Sequence, residues 1–169
     1  MRRKDLEITD RPQIDAILER ALVCRLGLSS GAQPYVVPLA FGYDKKALYF
    51  HGALVGRKME IIRENPRVCF EVDIDHEVVR REGSCNWSIR YRSVIGFGMA
   101  SIVEEVGAKG AALDVIMRHY GGQGYSYDER MLAATAVIRV DIESIHGKTR
   151  YGGKDRPDGK EAQDGMQEG

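Results

Sequence analysis

Residues 35–73 read YVVPLAFGYDKKALYFHGALVGRKMEIIRENPRVCFEVD. Two alternating apolar runs flank a polar turn at Asp44-Lys45-Lys46, the pattern of a hairpin. In the first run Val37, Leu39 and Phe41 share a face. In the second, Leu48 and Phe50 share one face while Tyr49 and His51 share the other. The second run opens through Gly52 and Gly56 into a predicted helix whose first residues are Arg57 and Lys58. Val55, Met59 and Ile62 recur there at helical spacing, leaving Lys58, Glu60, Arg63 and Glu64 outside. Asn65-Pro66 ends the helix, because the residue before a proline is pushed out of the α region. Val68, Phe70 and Val72 then alternate as a third strand.

Two features of this block suggest chemistry. A helix start exposes unpaired N–H groups and carries partial positive charge. The cations Arg57 and Lys58 at that start form a candidate anion site, with phosphate the natural anion. Solvated surface charge is the other reading, and cations at this end run against the dipole. Pro38 cannot donate a ladder hydrogen bond. It therefore marks an edge strand, a bulge, or an opening where a flat ligand could meet the backbone.

On the N-terminal side, Asp10 and Gln13 have the spacing of a capping box, Pro12 suits a first helical turn, and Ile14, Ile17, Leu18 and Ala21 form one helix face. Val23–Leu28 reads as a strand ended by Ser29-Ser30-Gly31. On the C-terminal side, Asp73–Ser84 is polar and reads as a hairpin tip or loop. A long strand is expected from about Arg92 to Glu104, with the small row Val94, Gly96, Gly98, Ala100 facing a close neighbour: a helix, a barrel corner or a cofactor ring. A helix over Ala108–Tyr120 stops at Gly121-Gly122. Ser126 and Glu129 suggest a capping box for a short helix, and Ala136–Ile145 a final strand. These elements, mostly hairpin-connected, predict an α+β, mainly β chain: a six-stranded antiparallel barrel with flanking helices, and no doubly wound sheet.

At 169 residues the chain is long enough for one domain with a sizeable core. Residues 1–150 form that domain, and 151–169 read as a polar, mobile tail with too little apolar surface to offset its ordering entropy. The 25 Lys and Arg balance 25 Asp and Glu, so no electrostatic footprint points to nucleic acid. No apolar run approaches the roughly 20 residues that cross a bilayer, and the charged N-terminus lacks a signal-peptide core. Cys24, Cys69 and Cys85 form no CxxC pair or zinc pattern, which suits small core residues in a reduced, cytoplasmic protein. His76 is expected to be exposed, and His119, late in its helix, to suit the dipole rather than catalysis.

The blocks YVVPLAFGY, LYFHGALVGRKMEIIRENPRVCFEVD and YRSVIGFGMASIVEE resemble the flavin-binding split-barrel proteins, in particular the nitroimidazole-resistance branch of the pyridoxamine 5'-phosphate oxidase-like superfamily. The resemblance covers most of residues 1–150 and implies a six-stranded split barrel that forms a homodimer with FMN, or FAD, at its interface. It implies that Val37, Pro38 and Leu39 lie along the isoalloxazine ring by their backbone, that Phe50, His51 and Gly52 border the ring and ribityl chain, and that Arg57 and Lys58 hold the phosphate. Ser93 would lie near the flavin, and Trp87 and Tyr91 would reach across the dimer. His51 matches the branch's histidine on the substrate side, the one catalytic candidate, since an imidazole changes charge near neutral pH. The implied activity is a flavin-dependent reductase taking electrons from NAD(P)H and passing them to a small acceptor such as a nitroimidazole or other nitroaromatic. The alternative is a non-catalytic flavin or haem binder or sensor, for which His51, His76, His119 and His146 are the imidazoles available. One departure matters: the oxidase proper has a basic substrate-phosphate pocket near its C-terminus, and IESIHGKTRYGG at 142–153 does not match it.

Overall fold

Period-two alternation does build a sheet here, but the strand pairs differ from those the turn at Asp44-Lys45-Lys46 suggests. The structure, a computed structural model, describes residues 4–83 and 86–151. The expected tail, from 152 onward, and Cys85 lie outside the described residues. In order the chain forms β1 (Glu7–Ile8), α1 (Arg11–Arg20), β2 (Cys24–Ser30), β3 (Gln33–Leu39), β4 (Gly42–Tyr43), β5 (Ala47–Gly52), α2 (Arg57–Glu64) and β6 (Arg67–Val79). There follow β7 (Ser88–Val103), α3 (Val106–His119), α4 (Glu129–Ala134) and β8 (Ala136–Thr149). The strands make one antiparallel sheet in the order β3-β2-β6-β7-β8-β5-β4, with β1 added on β8. The sheet does not close, which is the split barrel. The six strands expected from the sequence carry it, and β1 and β4 add two residues each.

The run from Tyr35 to Tyr43 is not one strand. β3 pairs along its length with β2 across Gly31, whose φ of 54° makes the turn. Only Gly42 and Tyr43 pair with β5 over the predicted turn. The break falls at Ala40-Phe41, where Phe41 is fully buried and its N–H donates to the Tyr120 hydroxyl rather than to a strand. Asp73–Val79 is strand, not loop: β6 and β7 stay paired to Val79, with a bulge between Ile74 and Glu77. Asp75 in that bulge has φ 57°, and its carboxylate is held by Arg20 and Arg92. Asp10 makes no side-chain cap on α1, and α4 is capped by Asp128, which accepts from Met131 N, rather than by Ser126.

Inward side chains of β2, β5, β6, β7 and β8, including Leu26, Leu48, Phe50, Phe70, Val94 and Ile138, meet in one core closed by α1 and α2. Tyr49, Ala47 and Val137 face the opposite way into a second cluster with Ala112, Leu113 and Ile116 of α3. β5 is thus buried on both faces until His51, where it emerges. The small row of β7 serves this core. A Cβ on Gly96 would lie 2.1 Å from Phe70 Cζ, and one on Gly98 2.2 Å from the Asp141 carbonyl oxygen. A packed ring and a neighbouring strand are what approach there.

Candidate functional site

Among the described residues β3 ends the sheet, so one row of its backbone N–H and C=O groups has no strand partner there. Pro38 sits on that terminal strand opposite Arg25, which selects the edge among its readings. Val37 and Leu39 turn their side chains onto the core, leaving the backbone at the edge. Two contacts join this edge to the start of α2 and the end of β5. The Arg57 guanidinium stacks 5.0 Å from the centre of the Tyr35 ring. The Lys58 ammonium lies against Gly52, where an added Cβ would stand 2.8 Å from Nζ.

α2 is opened by Gly56 at φ 123°, a conformation closed to most side chains, with no side-chain cap. Met59 N and Glu60 N both donate to the Gly56 carbonyl, and the N–H groups of Arg57 and Lys58 precede the helix ladder. Met59, Ile61 and Ile62 anchor the helix in the core, whereas Val55, expected on that face, is exposed ahead of the helix. Lys58 is half-buried rather than outside, and burial lowers its pKa. Among the described residues neither Arg57 nor Lys58 forms an ion pair. Burying an unmatched cation is unfavourable. The half-buried Lys58 and the exposed, stacked Arg57 are the residues at this helix start that could hold a phosphate.

His51 is exposed at the end of β5, paired with Val137, one residue before Gly52. The Phe50 ring is fully buried and packs 6.4 Å from Phe41, so Phe50 can meet a ligand only through its backbone. Ser93, Tyr91 and Trp87 are not brought to this place within the chain. β2 and β6 stand between β3 and β7, and β8 stands between β5 and β7. Ser93 is buried opposite Asp73 and Lys148. The Tyr91 hydroxyl accepts from Lys148 Nζ, and Trp87 is 54% exposed under Arg80. Tyr35 is what the sequence reading missed: its signal was an aromatic in register with Val37 and Leu39, three residues before the proline.

His119 and His76 have structural partners. His119 Nε2 is 2.7 Å from the Ala21 carbonyl oxygen, and its ring packs 4.4 Å from Phe41, a tertiary role beyond the expected dipole effect. His76 is exposed as expected and pairs with Asp73. No group of His, Cys, Asp and Glu among the described residues could hold a metal ion, and no helix there is long and apolar enough to cross a membrane.

Comparison with known proteins gives the chain its family. The family model described as pyridoxamine 5'-phosphate oxidase matches residues 10–149, and the chain belongs to that family. A structure from Bacteroides thetaiotaomicron ascribed to 5-nitroimidazole antibiotic resistance is 32% identical, covers 85% of this chain and 86% of its own, and superposes with a TM-score of 0.77. The likeness to the nitroimidazole-resistance branch therefore holds. A flavocytochrome from Azotobacter vinelandii shares the fold at 24% identity and TM-score 0.74, over 87% of this chain and 70% of its own. An FAD-binding protein from Mesorhizobium loti is 25% identical with TM-score 0.60, over 83% of this chain and 94% of its own. No curated protein matches the chain significantly by sequence.

Proposed function

We propose that this protein is an FMN-binding oxidoreductase that reduces a small acceptor such as a nitroaromatic. The observation that carries the reading is the desolvated Lys58 ammonium, unpaired among the described residues, beside Arg57 at the start of α2 and next to the free edge of β3. Arg57 and Lys58 supply charge-assisted hydrogen bonds to a phosphate. The backbone of Val37, Pro38 and Leu39 offers its unpaired edge to a flat heterocycle, while Gly52 leaves room for the Lys58 ammonium. A bound flavin supplies the redox chemistry. His51, exposed at the end of β5 and adjacent to Gly52 in sequence, holds or gives a proton to the acceptor. The membership in a flavin-binding family and the Bacteroides relative support both cofactor and acceptor class.

A second copy completes the site. The outer face of β3, β2, β6 and β7 carries a groove of about 400 Å³ bordered by Val36, Cys69 and Phe97, and Val36 is 63% exposed. Covering this face as a homodimer would remove that apolar surface from water and carry the partner's β7 toward the flavin edge, which a single chain does not do.

The test is an absorbance spectrum of purified protein before and after adding FMN, then anaerobic mixing with NADH or NADPH and a nitroimidazole. Bound flavin that bleaches with a nicotinamide donor and recovers with the nitroimidazole is the expected result. Flavin that binds but never bleaches makes the protein a binder. A Soret band in its place marks haem. No chromophore taken up removes the proposal.

A further inference from the structure

We infer that Tyr35 is a positioning residue for Arg57, and that through it the edge strand sets how strongly the site prefers FMN to riboflavin. The inference rests on the flavin reading above. An exposed arginine samples many rotamers, and fixing them on binding costs entropy. Here the guanidinium already lies 5.0 Å from the Tyr35 ring centre, within the range of a cation–π contact. The ring is a firm base: Tyr35 is half-buried and packs on the core beside Val37 and Leu39.

Other cations in the protein stack on tyrosines, but with their donors engaged. Arg92 lies over Tyr151 and pairs with Asp75; Arg139 lies over Tyr49 and pairs with Asp141. Arg57 keeps its N–H fork free of any carboxylate among the described residues. Stacking therefore orients the group without neutralising it, which is what a pre-set phosphate donor needs. The Tyr35 hydroxyl takes no hydrogen bond among the described residues, so the ring face is the working part.

The experiment titrates FMN and riboflavin into the full-length apo-protein for wild type, Tyr35→Phe, Tyr35→Leu, Arg57→Ala and the Tyr35→Leu/Arg57→Ala double variant, with thermal melts of each. Tyr35→Phe should match wild type. Tyr35→Leu should weaken FMN by about two- to fivefold, the size of an exposed cation–π contact, and leave riboflavin unchanged. In the Arg57→Ala background the same change should do nothing further. Equal losses for FMN and riboflavin, or an undiminished loss without Arg57, would make Tyr35 a packing residue only and overturn the inference. If wild type binds FMN and Arg57→Ala binds it as well, the phosphate role itself fails, and the inference with it.

Discussion

Gly52→Ala separates the site from the fold more cleanly than deleting a charge. Gly52 needs no left-handed backbone, so alanine can adopt its conformation. The new Cβ would stand 2.8 Å from Lys58 Nζ, and ordinary contact begins at 3.4 Å, so the ammonium must retreat by about 0.6 Å. It is the far end of a flexible side chain, so the backbone has no reason to move. Replacing glycine also reduces the freedom of the unfolded chain, worth about 0.4–1 kcal/mol in favour of the fold. The melt should therefore hold or rise slightly. A charge-assisted hydrogen bond to phosphate is 2.7–2.9 Å long at its best and contributes about 1.5–3 kcal/mol. Displacing the donor by this much forfeits most of the lower figure, which is about a tenfold loss of FMN affinity. Riboflavin, without the phosphate, should bind as before. Fluorescence titration with both ligands, alongside a thermal melt, reads all three quantities. FMN affinity within twofold of wild type in a normally folded variant would refute the placement of Lys58 at the phosphate.

Other consequences can be measured on the same protein. Lys58→Met should leave the flavin-free melting temperature equal or higher, because burial disfavours the charged lysine in the fold, a penalty complete at neutral pH and relieved as pH rises toward the ordinary lysine value. Saturating FMN at about 100 Kd should stabilise wild type by about 2.7 kcal/mol and the variant far less; equal shifts would sink the clamp. For Asp15, burial alone would raise the carboxyl, but hydrogen bonds from Tyr43 and Arg11 outweigh it and hold it below its usual range. Asp15→Ala should cost about 1–3 kcal/mol at pH 7 by urea unfolding, a difference that is present above about pH 4 and closes as pH falls through the lowered value. Gly96→Ala drives a methyl to within 2.1 Å of Phe70 Cζ and should cost about 1–3 kcal/mol, partly recovered by Phe70→Leu in the same melts. Cys24 is fully buried and its thiol is pushed up to about 12, so in a Cys85→Ser protein Cys69 should react with a maleimide first and Cys24 only on unfolding.

The sequence states side-chain alternation but not strand partners. Val37, Leu39, Leu48 and Phe50 all face the core as their spacing implies, yet β3 and β5 belong to opposite ends of the sheet. The turn at Asp44 misled because Asp44 does make it, accepting from Lys46 N and Ala47 N, while the strand before it lasts only two residues. Polarity misled at Asp73–Val79: the charged residues there are satisfied across strands, Arg25 by Asp73 and Glu71, Arg90 by Glu77. Charge therefore reads as loop when it is a paired outer face. For the site, the cation pair and the proline were visible as residue types out of place. What no pattern could supply is that Tyr35 and Gly52, 17 residues apart, each receive one of those two cations.

The features that make the candidate site are the ones the fold would be steadier without. A terminal strand leaves backbone groups unpaired, and Pro38 is tolerated because no strand follows it. Gly52 gives up side-chain packing at the end of a strand that is otherwise buried on both faces. Lysine at a helix start opposes the dipole and, half-buried, has lost part of its hydration. Each departure taken singly has an ordinary structural explanation. Together they fall where the start of α2 touches both β3 and the end of β5, and under the proposed function a phosphate bound there would meet both cations. Elsewhere Gly96 admits the Phe70 ring, Arg92 and Arg139 meet carboxylates, and the Tyr43 and Tyr49 hydroxyls find partners. Other departures, such as the left-handed backbone of Lys45 and Asp75, stand apart from one another, whereas these gather at one place, and natural sequences accept such conflict where function needs it.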